Sequence, residues 1–401
     1  MVKFSLVIYT GDILMKYFIF ILIIFVTIPS TRAQQTYVPD DNFEQALIDL
    51  GYDNALDDYV VTDSINSVTV LDVSNDSISD LTGIEGFTAL TNLHCGYNQL
   101  PSLDVSSNTA LTNLNCLGNV LTALDVSSNT ALTNLNCRDN QLTALDVSSN
   151  TALTELWCYN NQLTTLDISN TTTLELLQCY NNELTTLDVS NNTALTNLVC
   201  GNNQLTSLDV SNNTALTYLD CRSNALNTLD ISNNTALEGL YCYSTQLTSL
   251  DVSSNTALAS LNCSYNQLTS LDVSANTSLT SLDCWSNQLT SLDVGSNTAL
   301  TYLQCYTNQL TYLNMRNGIT DQLSNFNATD NSLTCIETLD PGYATANWTY
   351  ANDNIDAGVS FAEICYSSNP DYTNVPDDNF EQALIDLGYD DTLDDYVLTA
   401  N

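Results

Sequence analysis

The sequence predicts a β-rich solenoid of about thirteen rungs with two short strands per rung. Three observations carry this. A 21-residue unit first reads cleanly from Leu90 to Ala110, LTNLHCGYNQLPSLDVSSNTA, and recurs almost unchanged as far as Tyr312. One cysteine marks each unit: Cys95, Cys116, Cys137, Cys158, Cys179, Cys200, Cys221, Cys242, Cys263, Cys284 and Cys305, each 21 residues after the last. Within the unit, apolar residues stand two apart, Leu114 with Cys116 and Leu124 with Val126, so each pair points to one side of a strand. A unit this short cannot bury enough apolar surface to offset the entropy of ordering its own backbone. Stacked units share one core and one hydrogen-bond ladder, so the array is what folds.

Written generally, the unit is LTxLxCxxNxLTxLDVSxNTx. Leu111 and Leu121 lead from the turns into the two strands, which completes six inward apolar groups per unit. The pattern resembles a leucine-rich repeat, LxxLxLxxNxL, with Cys in place of the third Leu, over Val68 to Ile336. It is most similar to the bacterial internalin-like class, in which IxDI follows the Asn as LTxLDV does here. The resemblance implies a leucine-rich-repeat coil from a bacterial source.

The Asn three after each Cys (Asn98, Asn119, Asn140, Asn161, Asn182, Asn203, Asn224, Asn266, Asn287, Asn308) is expected to turn inward. Its amide would bond backbone groups of the next rung and satisfy a turn that has no helix. Thr245 interrupts this column, so its rung is expected to be locally weaker.

Taken in order, residues 1–33 read as a targeting segment. Lys16 precedes an apolar run from Tyr17 to Ile28, Pro29 breaks it, and Thr31-Arg32-Ala33 offers a cleavage site. The run is too short to span a bilayer. Met15 followed by Lys16 makes a better start than Met1, so residues 1–14 read as a misassigned extension. Residues 37–66 form an N-terminal helical cap. Asp41 with Glu44 three later gives a capping-box-like start; Phe43, Ala46, Leu47 and Leu50 share one helical face, and Gly51 stops the helix. The acidic run behind Asp53 and Asp57 reads as a decayed calcium loop or a solvated turn. Ala55, Asp58 and Ser64 stand where that loop needs a ligand, a glycine and a glutamate.

The solenoid covers 67–336, opening on an irregular rung from Val68 to Ala89 and closing on one at Phe326, Ala328, Asn331 and Leu333. Residues 337–366 form a C-terminal cap. Cys335 and Cys365 lie outside the 21-residue rhythm and, in a secreted chain, read as a disulfide that staples this cap. Residues 367–374 look like a linker, and Val375 to Thr399 nearly repeats Val38 to Thr62. We read 375–401 as the truncated start of a second cap and repeat domain.

Charge narrows the partners. Six Lys and Arg stand against 46 Asp and Glu, for a net charge of −40, so the surface repels nucleic acid and anionic membrane. The partner is a protein or a glycan. The eleven periodic cysteines read as a buried column of thiols, because parallel side chains on neighbouring rungs do not favour pairing.

Two exposed columns draw attention. Eleven aromatic residues fall beside the Cys column: Tyr97, Trp157, Tyr159, Tyr180, Tyr218, Tyr241, Tyr243, Tyr265, Trp285, Tyr302 and Tyr306. The outward column before the second Leu-Asp holds Ser, Thr or Ala almost throughout, so the aromatics follow a face and not merely strand propensity. They read as a ligand-binding face, or as cross-strand stacking that stabilises the sheet. A second ladder is acidic: Asp104, Asp125, Asp146, Asp167, Asp188, Asp209, Asp230, Asp251, Asp272 and Asp293. Turn N–H groups and neighbouring hydroxyls, or bridging calcium, would have to compensate it. No enzyme is expected. His94 is the sole histidine, no phosphate-binding glycine loop occurs, and no other cofactor is implied.

Overall fold

The computed structural model describes residues 33–365, 372–375, 378–387, 389 and 396–398. The expected targeting segment, all but its last residue, and most of the expected linker lie outside them.

The chain opens with strand β1 (Gln35–Tyr37), helix α1 (Asp41–Asp49) and strand β2 (Tyr59–Val61), which pairs antiparallel with β1. Asp40, not Asp41, caps α1: its carboxylate accepts from Asn42 N and Phe43 N. Glu44 does not reach back to form a capping box. It is buried and accepts instead from Asp57 N and Tyr59 N. Phe43, Ala46 and Leu47 enter the core, and the Phe43 ring lies 6.5 Å from Phe87 of the first rung. Leu50, expected on the same face, is exposed, because the helix ends there and Gly51 turns the chain at φ +80°. One turn of helix, α2 (Thr62–Ile65), leads into the solenoid.

The solenoid is one parallel sheet of thirteen strands, mostly three residues each, stacked in chain order. The register advances by 21 residues, as in Leu114↔Leu135. Every inward group of the unit is buried: Leu111, Leu114, Cys116, Leu121, Leu124 and Val126 in one rung, and their counterparts along the array. The second stretch of the unit differs from the expectation of a full strand. It forms regular strands only near the C-terminal end, at Ser291–Asp293, Tyr312–Met315, Cys335–Thr338 and Ser360–Ala362. Earlier rungs make isolated bridges, Asp104↔Asp125↔Asp146↔Asp167. Along the whole column the side chain takes the N–H two residues on, as Asp125 takes Ser127 N at 2.9 Å and, within a regular strand, Asp293 takes Gly295 N at 2.7 Å.

The inward Asn column bonds the preceding rung, not the next. Asn182 Nδ2 donates to Cys158 O of the rung before (3.1 Å) and to Cys179 O of its own (3.0 Å), while its Oδ1 accepts Leu163 N (3.0 Å). A second buried column, unremarked in the sequence, does similar work at the opposite corner. Asn129, Asn150, Asn213 and their equivalents each donate to the Val and Asn carbonyls of the preceding rung, as Asn150 does to Val126 O and Asn129 O. Thr245 keeps a short hydroxyl bond to Cys242 O of its own rung at 2.6 Å and contacts Asn266 Oδ1 of the next at 3.0 Å, but among the described residues its side chain makes no bond to the preceding rung. Its neighbour Gln246 is forced to φ +74°, a left-handed conformation that Gln204 and Gln267 do not take.

The eleven column cysteines are free and fully buried. Burial pushes their thiols up, to about 12 at Cys116, Cys179, Cys221, Cys263 and Cys305. At the far end Cys335 and Cys365 are bonded, with Cα atoms 5.8 Å apart. Helix α3 (Pro341–Asn347) leads to Trp348, whose buried ring lies 4.7 Å from Phe326. Beyond it, strands Tyr372–Asn374 and Tyr396–Leu398 pair antiparallel around helix α4 (Asp378–Asp386), the same arrangement as β1, α1 and β2.

Replacing Asn182 by Ala removes two donors and an acceptor from a dry interface. It should cost roughly 3 kcal/mol in urea unfolding, whereas Thr245→Asn should add about 1 kcal/mol. The column thiols should ignore a disulfide reagent at about pH 8 in the folded chain and react fully once guanidinium exposes them.

Candidate functional site

The residues beside each Cys occupy separate columns, because only the strand portion of the rung alternates. One before Cys stand Trp157 and Tyr241; one after stand Tyr159, Tyr180, Tyr243, Trp285 and Tyr306; three before stand Tyr218 and Tyr302. Tyr97 and Tyr265 stand two after Cys, where the backbone is left-handed (φ +55° and +51°) and the strand has ended. These two are the exposed ones, at 55% and 53%. The others are half-buried, and Tyr159 is buried, because neighbouring rungs are close enough for adjacent rings to shield one another. The expectation of a uniformly exposed row is thus corrected.

The columns gather into three clusters. In the first, Tyr97 lies over Gly118, where any Cβ would strike the ring at 2.8 Å. Arg138 hydrogen-bonds Tyr97 and sits 5.2 Å over Tyr159, which stacks on Tyr180 at 4.2 Å. In the second, Tyr218 and Tyr241 meet at 5.3 Å, with Tyr218 covering Gly239. Arg222 sits 5.6 Å from the Tyr243 ring centre and reaches Asp220 at 3.5 Å. In the third, Trp285 is held between Tyr265 (4.2 Å, edge-on) and Tyr306 (4.6 Å, stacked). Trp157 has no ring partner among the described residues; Asn136 and Gln178 flank it on the neighbouring strands.

Electrostatics separates the clusters. Burial raises the Asp220 carboxyl, and Arg222 opposes that rise. Burial lifts Asp283 in the third cluster further, to about 6, against a hydrogen bond from the Tyr302 hydroxyl. Among the described residues no arginine is paired with Asp283; the two ion pairs belong to Arg138 and Arg222. Burial also pushes the Tyr180 and Tyr218 hydroxyls up to about 12, so both stay neutral. His94 lies half-buried on the same face, opposite Asp72 of the neighbouring strand.

The acidic ladder runs along another edge. Its carboxylates are exposed, and the hydroxyl and N–H of the Ser two residues on hold Asp104, Asp125, Asp146 and Asp188 below the usual range. In the N-terminal loop, Asp57 accepts Tyr59 N at 3.2 Å. The carboxylates that do converge are Asp41, Glu44 and Asp58. EF-hand spacing does not connect them, since one pair is set by helix geometry and the third by a returning loop.

Comparison with known proteins agrees with this geometry. The LVIVD repeat matches residues 158–182, little more than one rung. Internalin J of Listeria monocytogenes serotype 4b (strain F2365) is 44% identical over 78 residues, 20% of this chain; the match spans 8% of that relative's length. Among solved structures, the functional domain of InlJ from Listeria monocytogenes, which includes a cysteine ladder, is 34% identical over 78% of each chain, with a TM-score of 0.59. A leucine-rich-repeat protein of Leptospira interrogans is 26% identical over 69% of this chain and 79% of its own, with a TM-score of 0.61. YopM, a leucine-rich effector from Yersinia pestis, is 26% identical over 68% of this chain and 74% of its own, with a TM-score of 0.58. With its cysteine column, its 21-residue register and this likeness over most of its length, the chain belongs to the internalin-like class of leucine-rich-repeat proteins.

Proposed function

We propose that this is a secreted or cell-surface, non-catalytic binding protein that engages another protein through the aromatic face of its sheet. The observation that carries the reading is the third cluster. Tyr265, Trp285 and Tyr306 form a platform beside Asp283, a half-buried carboxylate that no arginine pairs with among the described residues. A ring platform supplies contact area at little entropic cost, and an unpaired carboxylate next to it favours a Lys or Arg from the partner. Solenoids of this kind present long continuous surfaces suited to proteins. Arg138 and Arg222 already occupy the corresponding position in the other two clusters, so these are internally satisfied. The acidic charge of the chain favours a basic partner over a nucleic acid. Among the described residues no helix is long and apolar enough to cross a membrane.

A glycan is the second reading, and Trp157 favours it. A lone indole flanked by Asn136 and Gln178 offers a stacking plane with amide donors on both sides.

Native chain and variants should be compared on a protein library from neighbouring cell surfaces and on a glycan array. Tyr265→Ala with Trp285→Ala should weaken capture of a protein at least about thirtyfold while the fold is retained. Loss on the glycan array through Trp157→Ala alone, with protein capture untouched, would support the second reading. Equal binding by all variants would leave the rings a purely structural role.

Asp283 gives an independent check. Its folded value of about 6 lies above the ordinary 3.8, so between these values the folded chain holds the extra proton. Stability therefore falls as pH rises through this window. Asp283→Asn, which keeps an acceptor for Tyr302, should raise the melting temperature at about pH 8 by an amount worth on the order of 1 kcal/mol after solvent screening, and not at about pH 4.

A further inference from the structure

The second and third aromatic clusters share one plan at different rungs. Asp220 and Asp283 each stand one residue before a column Cys, and Tyr243 and Tyr306 each stand one after the Cys of the following rung. The residue just after the first Cys differs: it is Arg222 in the second cluster and Trp285 in the third. Both are flat groups set against the Tyr of the next rung. The Arg222 guanidinium lies 5.6 Å from the Tyr243 ring centre, and Trp285 stacks on Tyr306 at 4.6 Å. The two carboxylates fare differently. Arg222 Nε lies 3.5 Å from Asp220 Oδ2, the Arg222 N–H bonds Asp220 Oδ1 at 3.2 Å, and Asp220 is left 3% exposed. The second cluster also makes room for its arginine, since a Cβ at Gly201 would come within 2.7 Å of Arg222 Cγ. An indole carries no charge to offer Asp283, which is only half-buried. The Tyr302 hydroxyl donates to it, and among the described residues no arginine pairs with it. Its register neighbours on the two adjacent strands, Asn262 and Gln304, are uncharged.

We propose that Asp283 and the Trp285–Tyr306 stack take an arginine side chain from the protein that binds, and that the second cluster is the same site filled by the chain's own Arg222. This rests on the reading of the third cluster as the binding face, and it names the group recognised there. Shape selects guanidinium over ammonium. A planar fork can lie on a ring and still aim two N–H groups in its plane at a carboxylate. An ammonium is a compact, strongly hydrated charge that cannot do both so well. A carboxylate offers about four lone-pair positions, so the Tyr302 hydroxyl leaves Asp283 enough to accept the fork. Half-burial strengthens the pairing, because less water screens it than at the exposed aspartate ladder. The second cluster needs no outside cation: with Arg222 in place its carboxylate is already covered.

The test uses the full chain with its tryptophan and tyrosine rings labelled for NMR. The probes are acetyl-Gly-Arg-Gly-amide and its lysine and citrulline counterparts. The arginine peptide should shift the Trp285 and Tyr306 signals and leave Tyr243 unmoved. The lysine peptide, of equal charge, should bind several-fold more weakly, and the uncharged citrulline peptide should give no shift at the same concentrations. Asp283→Asn keeps an acceptor for Tyr302 and removes the charge; it should weaken the arginine peptide at least about tenfold. Asp251→Asn, on the exposed aspartate ladder, controls for general attraction to an acidic chain and should bind as the native chain does. Arg222→Ala should create a second site, seen as a new shift at Tyr243. Unmoved Trp285, or native affinity in Asp283→Asn, overturns the arginine site whether or not Arg222→Ala disturbs its own rung. A folded Arg222→Ala chain with Tyr243 still unmoved overturns the equivalence of the two clusters. Capture of a whole protein separates this from the broader reading. Loss through Tyr265→Ala with Trp285→Ala, but not through Asp283→Asn, rejects the arginine and leaves the ring platform standing; loss through neither rejects both.

Discussion

The bond on which the rest of the structure depends is the one an Asn amide makes between rungs. A parallel coil with no helix on its far side must still satisfy the backbone groups at its corners, and water does not reach them. Asn182 meets this need by serving two rungs at once, donating to Cys158 O behind it and to Cys179 O in its own turn. Its Oδ1 then receives Leu163 N, so one side chain closes a corner on three sides. The strand ladder sets the rung spacing, since the register holds even at the Thr245 rung (Leu219↔Leu240), and the amide closes the corner that this spacing leaves. The leucines and cysteines fill the space that this lattice leaves, and they contribute the apolar burial without setting the geometry.

The same spacing governs the outer face. Rungs stacked at sheet distance bring outward rings of adjacent strands into contact, so an aromatic row shields itself. Tyr159 on Tyr180 and Trp285 on Tyr306 are the result. The rings that escape stand two after Cys, at left-handed positions: Tyr97 and Tyr265. Recognition and sheet stabilisation are therefore two uses of the same side chains, divided by where each sits in its rung.

Much of this was legible from residue order. Period, inward positions and the thiol column follow from alternation and from one recurring cysteine, since those features are local and repeated. The first Asn column was legible too, although not the rung it bonds, because sequence spacing cannot say which neighbour an amide reaches. The second column, at Asn129 and Asn150, was hidden in a Ser-rich turn where Asn looks like an ordinary surface residue. The Asp ladder was visible, and so was its compensation by turn N–H groups and hydroxyls; which rungs extend it into a regular strand was not, since that depends on backbone alignment between rungs. The meeting of the N-terminal acids was hidden. Linear spacing compares residues along one loop, whereas Asp41, Glu44 and Asp58 meet through a helix and a returning chain.

Thr245 has a consequence beyond its own rung. In a linear array each repeat is coupled only to its neighbours, so cooperativity is no greater than the weakest interface. With a single hydroxyl where its counterparts place an amide, and with Gln246 turned over beside it, the coil has a seam between Cys221 and Cys242. The tyrosines of the second cluster lie at that seam, and the platform around Trp285 lies beyond it. Under tension along the coil, the seam would open before either side, so the C-terminal platform could detach as one block while the rungs before it remain wound. The molecule then behaves as two stiff rods joined by a mechanical fuse.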